Sequence, residues 1–219
     1  MITGAIFDLD GTILDSMPYW DSVGSDYMAS LGFVVPPEVK AQIQAISMSK
    51  VAQFLIDYYS LDTTVDQFKA DVYLMMQKHY LEDIPIKTGV DDFLCRLKNN
   101  GVKMCIATAT AKSLADHALR RLGLREYFSE IFSVDEIGAG KGHPDIYRAA
   151  LNHLGTKKEE TFVIEDIWKA LETANNDGFV TVGVYDDHEK ANQDRLKENA
   201  DYYIEQYSDF DKFWETLNK

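Results

Sequence analysis

The residues best suited to chemistry stand near the start of the chain, in Asp8-Leu9-Asp10-Gly11-Thr12. Three apolar residues, Ala5-Ile6-Phe7, lead straight into the pair of carboxylates. Along a strand, positions i and i+2 face the same side, so Asp8 and Asp10 can face one site. One carboxylate can then act as nucleophile while the other protonates a leaving group and afterwards activates water. Gly11 permits the sharp turn that ends the strand, and Thr12 adds a hydroxyl. Asp and Gly are also ordinary turn residues. A plain surface turn, however, gives no reason for an apolar run to feed directly into two acids.

Three later segments carry complementary groups. Ala107-Thr108-Ala109-Thr110 follows an apolar run and precedes a helical pattern. The Thr108 hydroxyl and the N–H groups of such a turn, Ala109 included, can hold phosphate oxygens. Thr110 or Ser113 as an ordinary helix cap is an equal alternative. Lys141 lies among glycines in Gly138-Ala139-Gly140-Lys141-Gly142-His143-Pro144 and could reach a neighbouring site, although loop lysines are more commonly solvated. His143 beside it reads first as capping or solvated. Glu165-Asp166 directly follow Phe162-Val163-Ile164. Hard cations such as Mg²⁺ take carboxylate oxygens, and Asp166 could also cap the helix that follows.

These residues need a scaffold, and the hydrophobic pattern supplies one. Ala5–Phe7, Val102–Ala107, Phe162–Ile164, Val180–Val184 and Tyr202–Ile204 are short apolar runs. Separated by helix-length segments, they read as buried parallel strands. Helices are predicted over Gly89–Asn99, Ser113–Leu122, Pro144–Leu154, Ile167–Asn176 and Asp209–Leu217. Gly101, Gly123, Gly155 and Gly178 follow four of these, where a left-handed cap is needed. Ser208 and Asp211 resemble a capping pair before the last helix. The fold class expected is α/β, a Rossmann-like, doubly wound parallel sheet formed by residues 1–15 and 86–219. Residues 16–85 show helical patterns only, starting at Pro36-Pro37, after Ser49, over Thr64–Asp83 and around Tyr27, Met28 and Leu31. They are expected to form an inserted all-helical domain whose Met and aromatic residues make its core.

With right-handed crossovers, the carboxyl ends of the parallel strands share one edge, so Asp8, Asp10, Thr108, Glu165 and Asp166 should converge. Like charges about 4 Å apart repel by about 4 kcal/mol at an effective dielectric constant of about 20. Four carboxylates around a phosphate therefore require a cation and the ammonium of Lys141. A bound Mg²⁺ would also act as Lewis acid and template for in-line displacement.

The chain has 219 residues, 46% of them hydrophobic, and a formal net charge of −14. Such an acidic surface disfavours nucleic acid and anionic membranes as partners. Cys95 and Cys105 offer neither a disulfide framework nor metal-ligand spacing and read as buried, reduced thiols. No targeting segment or bilayer-length apolar stretch is seen, so a soluble cytoplasmic protein is expected, as a monomer or a dimer.

In order, Asp-x-Asp-Gly-Thr at Asp8–Thr12, Thr108 after a strand, Lys141 before Pro144-Asp145-Ile146-Tyr147, and Glu165-Asp166 resemble the haloacid dehalogenase-like hydrolase superfamily. The helical insertion is similar to the cap of its β-phosphoglucomutase and sugar-phosphatase branch. The resemblance implies a Mg²⁺-dependent phosphatase of a small phosphorylated metabolite, perhaps a sugar phosphate. Asp8 would form an aspartyl-phosphate, with Asp10 as general acid/base and Thr108, Ala109 and Lys141 holding the phosphoryl group. The metal would sit on Asp8, the Asp10 carbonyl and Asp166, with Glu165 in or next to its shell, and the cap would close over the site. Several positions depart from the pattern: Gly142-His143 follow Lys141, while Ile167 and Ala170 stand where the family usually has Ser and Gly. Trp20 lies near where the mutase branch has a cap histidine, and Ala45-Ile46-Ser47-Met48-Ser49 lacks that branch's arginine. Both favour hydrolysis over a phosphomutase reaction; a dehalogenase or a non-catalytic phosphometabolite sensor is less well matched. Asp15-Ser16-Met17-Pro18 resembles the hinge into the cap, where Trp20, Tyr19, Met48 and Lys50 are positional candidates for substrate contact.

Overall fold

The computed structural model describes residues 1–43 and 48–217; the stretch Ala45-Ile46-Ser47 lies outside the described residues. Two compact units are present: Met1–Asp15 with Pro85–Lys219, and Ser16–Ile84.

In the first unit, Gly4–Phe7 forms β1, every residue of which is buried. It is flanked by β2 (Lys103–Thr108) and β4 (Thr161–Glu165), parallel to both. The sheet continues outward to β3 (Ile131–Ser133), β5 (Val180–Val184) and β6 (Tyr202–Ile204), in the order β3-β2-β1-β4-β5-β6. Strands covered on both faces must be apolar nearly throughout, which is why these runs do not alternate. From β1 the chain winds to β2 and β3, and it then crosses to β4 and continues the other way. The sheet's order therefore reverses between β1 and β4, where open α/β sheets place ligand crevices.

The inserted unit comes next in the chain, with α1 (Met17–Ser30), α2 (Pro37–Ile43), α3 (Met48–Tyr59) and α4 (Val65–Glu82). Thr64 accepts the Gln67 N–H at 3.2 Å and so starts α4. Phe68, Val72, Met76 and Tyr80 recur at helical spacing on the buried side of α4. Tyr27 of α1 meets Phe68 edge to face, with ring centroids 4.7 Å apart, and its hydroxyl donates to Asp71 at 2.8 Å. These Met and aromatic residues are core.

The first unit then adds α5 (Val90–Asn99), α6 (Lys112–Arg121), α7 (Val134–Ile137), α8 (Asp145–Leu154), α9 (Trp168–Asn176), α10 (Gln193–Asn199) and α11 (Phe210–Thr216). One sheet face buries Ile6, Cys105 and Val163 with Ile146, Tyr147 and Ala174. Phe162 lies against Tyr202 and Phe213. Phe213 in turn packs on Phe210 and Phe93.

Some local expectations are corrected. β3 has three residues, too short to stand out as an apolar run. α10 was not anticipated because its single buried apolar residue, Leu196, leaves no period to detect. The last helix begins at Phe210 after Asp209, with no side-chain cap, so Ser208 and Asp211 do not form a capping pair. Cys105 is buried but Cys95 is exposed. On α5 the inward positions are Val90, Phe93, Leu94 and Leu97, which leaves position 95 on the outer face.

No helix among the described residues is long and apolar enough to cross a membrane. Two outcomes follow. A thiol reagent should label one cysteine quickly in the native protein and the second only on unfolding; rapid labelling of both would contradict the packing around Cys105. Phe162→Ala should lower unfolding free energy by roughly 3–5 kcal/mol in a denaturant titration.

Candidate active site

β1 ends at Phe7, but the Asp8 N–H still donates to the Ile164 carbonyl at 2.9 Å, which continues the pairing with β4 by one step. Asp8 is therefore the neighbour of Glu165, the last residue of β4, and Asp166 follows in the turn before α9. One carboxylate oxygen from each of these three buried acids lies within 4.8 Å of the others. Lys141 donates from its ammonium to Asp8 Oδ1, and to Glu165 Oε1 at 2.7 Å. Glu165 Oε1 also accepts the Tyr147 hydroxyl at 2.9 Å.

The turn after β1 is fitted to Asp166. Thr12 Oγ1 donates to Asp166 Oδ1 at 2.9 Å, and the Thr12 carbonyl accepts the Tyr207 hydroxyl at 2.9 Å. Gly11 has φ +77°, and a Cβ there would stand 2.3 Å from Asp166 Oδ2. Only glycine satisfies both the backbone and the space. Asp10 is half-buried, and its Oδ2 accepts the Thr110 hydroxyl at 2.6 Å. Thr108, fully buried at the end of β2, accepts the Thr110 N–H on Oγ1 at 3.0 Å. Ala109 between them is exposed. The hydroxyl of Thr110 thus goes to Asp10 rather than to a helix end, and α6 starts after Ala111 with no side-chain cap. Likewise α9 starts after Ile167 without one, so Asp166 is not a cap.

Burial pushes the Asp8 carboxyl up to about 6, Glu165 adds to this, and Lys141 opposes it. Asp166 is held well above the ordinary carboxylate range by burial first and then by Asp8 and Glu165. Lys141 is disfavoured as an ammonium by burial, but Asp8 and Glu165 outweigh that and raise it. Two carboxylate oxygens, Glu165 Oε2 and Asp166 Oδ2, are buried and without a hydrogen-bond donor. Buried acceptors of this kind need a partner. Oxygen-only, anionic and crowded, the group fits a hard divalent cation of the Mg²⁺ class.

His143 is exposed, and its backbone N–H closes the loop on Gly140 at 3.0 Å. Trp20, Met48 and Lys50 belong to the inserted unit. Trp20 Nε1 donates to the Tyr80 hydroxyl at 3.2 Å and its ring meets Tyr73 edge to face. Met48 opens α3 half-buried, and Lys50 is exposed.

Residues 5–184 match the model of the haloacid dehalogenase-like hydrolases. The chain belongs to that family. It is 27% identical over 173 residues to the phosphorylated carbohydrates phosphatase of Thermotoga maritima, covering 79% of this chain and 80% of that protein. With the fructose-1-phosphate phosphatase YqaB of Escherichia coli it shares 24% identity, covering 83% and 95% of the two chains. Its fold superposes on a Thermotoga maritima protein provisionally assigned as a β-phosphoglucomutase, with a TM-score of 0.85, 24% identity, and 99% and 100% of the chains covered. CbbY from Rhodobacter sphaeroides, crystallised with phosphate, superposes with a TM-score of 0.74 and 20% identity, over 95% and 96% of the chains. This hydrolase carries its acids on the sheet edge described above.

Sequence reasoning missed the links behind the acids. Tyr147 could have been found: it falls on the apolar stripe of α8 with Ile146, Ala150 and Leu154, and a buried tyrosine hydroxyl needs a partner. Lys87 and Asp186 gave no local signal, although Lys87 Nζ donates to Asp186 Oδ2 at 2.7 Å, to the Gly11 carbonyl at 2.7 Å and to the Tyr185 carbonyl at 2.6 Å.

Raised carboxyl pKa values mean that the folded, metal-free protein binds more protons than the unfolded chain between the ordinary Asp value of 3.8 and about 6. The stability contributed by Asp8 is then present at low pH and lost as pH rises through that window. A cation that binds the ionised cluster restores it. Mg²⁺ should accordingly raise the melting temperature more at pH 7.5 than at pH 5. Asp166→Asn should melt higher than wild type without Mg²⁺ at pH 7.5 and lose the Mg²⁺-dependent shift; a lower metal-free melting temperature would argue against a crowded anionic cluster.

Proposed function

We propose that this phosphoric monoester hydrolase dephosphorylates a small phosphorylated metabolite of the sugar-phosphate class, using Mg²⁺ and an aspartyl-phosphate on Asp8. The observation that carries the reading is the ion pair between Lys141 and a buried aspartate at the β1–β4 switch point, beside two carboxylate oxygens that lack donors. The carbohydrate-phosphate phosphatases among the relatives support the substrate class.

Asp8 is the nucleophile: one of its oxygens attacks phosphorus as the ester oxygen departs on the opposite side. Asp10, half-buried beside Thr110, donates the proton that the departing alcohol takes up. The resulting acyl phosphate is then cleaved by water, with Asp10 accepting the water's proton, which returns Asp8 as carboxylate and releases inorganic phosphate. Thr108 presents a hydroxyl whose oxygen already accepts the Thr110 N–H, so its own hydrogen is available to a phosphoryl oxygen. The Ala109 N–H is the second donor in this reading. Lys141 neutralises Asp8 before attack and the phosphoryl group after it. Thr110 holds Asp10 in place between its two proton transfers.

Asp8, Asp166 and the Asp10 carbonyl, with Glu165 in or next to the shell, would hold the Mg²⁺, which supplies charge neutralisation and Lewis acidity at the phosphoryl oxygens. Thr12 fixes the orientation of Asp166, as a second layer of hydrogen bonds does for metal-binding carboxylates. Residues 16–84 serve as a cap that excludes water and supplies substrate contacts, with Trp20, Met48 and Lys50 as candidates. The protein works in the cytoplasm as a monomer or a dimer.

A panel of phosphorylated metabolites should show Mg²⁺-dependent phosphate release from sugar phosphates. Asp8→Asn should abolish it, and Asp10→Asn should reduce turnover by roughly 10²–10⁴-fold. Beryllium fluoride should form an adduct on Asp8 only with Mg²⁺ present. Full activity of Asp8→Asn would overturn the assignment, and bisphosphate-dependent isomerisation of a sugar phosphate without net phosphate release would point to a mutase instead.

A further inference from the structure

Lys87 lies on the segment that returns to the sheet after the inserted helices, and nothing in the reaction written above uses it. An ammonium has three donors, and the three acceptors of Lys87 come from separate parts of the fold. They are the Gly11 carbonyl in the turn after β1, the Tyr185 carbonyl after β5, and the carboxylate of Asp186. The pair is withdrawn from solvent, with side-chain exposures of 16% for Lys87 and 6% for Asp186. Asp186 is itself fixed, since its Oδ1 accepts the His188 N–H at 2.8 Å. The backbone grips the same turn a second time: Lys87 N–H donates to Ile13 O at 2.9 Å.

Gly11 is the most deformable point of the catalytic turn, because it has no side chain to restrict its backbone. It is flanked by Asp10 and Thr12, and a carbonyl left free there could rotate and carry both neighbours with it. We propose that Lys87 is a positioning residue, whose ammonium holds the Gly11 carbonyl and thereby the orientation of the Asp10–Gly11–Thr12 backbone. The effect on turnover rests on the phosphatase reading, while the strut itself does not. An ion pair of purely structural value would need only Asp186; the bond to Gly11 is what turns it toward the reaction. Glycine alone tolerates the turn, and Lys87 removes the freedom that glycine brings.

The test compares Lys87→Met, Asp186→Asn and the double variant, assayed with Mg²⁺ and p-nitrophenyl phosphate. The ¹⁵N–¹H signal of Thr12 is followed alongside, since its nitrogen shares a peptide group with the Gly11 carbonyl. Lys87→Met alone strands a buried carboxylate and is expected to destabilise the fold. The double variant removes both charges and is the decisive one. It should fold, lose roughly tenfold to a hundredfold in kcat with KM little changed, and show a displaced Thr12 signal. Asp186→Asn, which leaves Lys87 on Gly11, should keep most of its kcat. Wild-type kcat and an unmoved Thr12 signal in the double variant would overturn the proposal, as would an equal loss in Asp186→Asn. Should the double variant not fold, Lys87→Arg decides: reduced kcat at an unchanged melting temperature upholds the strut, and wild-type kcat overturns it. If the wild-type chain hydrolyses no phosphomonoester, the functional reading fails and the Thr12 signal alone decides the strut.

Discussion

Three carboxylates held within a few ångströms of one another, out of water, are the constraint around which this fold is arranged. Asp8, Glu165 and Asp166 would each be comfortable alone and solvated; together and buried they repel. The surroundings answer with a lysine between two of them, a tyrosine hydroxyl on Glu165 and a threonine hydroxyl on Asp166. These partners leave two oxygens unanswered. A protein selected for stability alone would have replaced one of the acids, whereas a group of oxygen donors suited to a hard cation gains from keeping them all.

The sheet makes the crowding possible. Parallel pairing places the ends of β1 and β4 side by side, and the reversal of strand order there leaves the space above them uncovered by a crossover. One acid just past β1 and one at the end of β4 are enough, because the residue after β4 adds another and the turn after β1 brings Thr12 back onto it. The loop holding Lys141 needs no regular structure of its own, since its ammonium is fixed by the acids it reaches.

Much of this was legible from residue order because the relevant signals are local. Ala5-Ile6-Phe7 before two acids, and Phe162-Val163-Ile164 before two more, announce strand ends without any tertiary knowledge. The sheet's central strands and the helical character of residues 16–85 were readable for the same reason, as were the glycines with positive φ after the helices. What escaped was either too short to have a period, as in β3, or nearly polar, as in α10. At two helix starts the capping alternative falls away because the residue is otherwise employed: Thr110 bonds Asp10, and Asp166 faces Thr12. Cys95 was misread because neighbouring apolar residues in a helix point in different directions. Lys87 and Asp186 are 99 residues apart, and nothing in either neighbourhood hints at the other.

The chain leaves the sheet unit after Asp15 and re-enters it at Pro85, and at that point the two passages run side by side. Asp15 N–H donates to Pro85 O at 3.0 Å, and Leu14 bridges Ile86 in antiparallel fashion. The intervening helices therefore hang from a closed clip whose ends meet within the parent unit. Loop-closure entropy rises only logarithmically, by about 0.6 kcal/mol for each doubling of length. To the sheet, what lies between the two passages is close to thermodynamically invisible. Such a junction accepts a turn, a few helices or a whole domain at nearly the same expense, so the inserted stretch can change in length and content while the sheet folds as before.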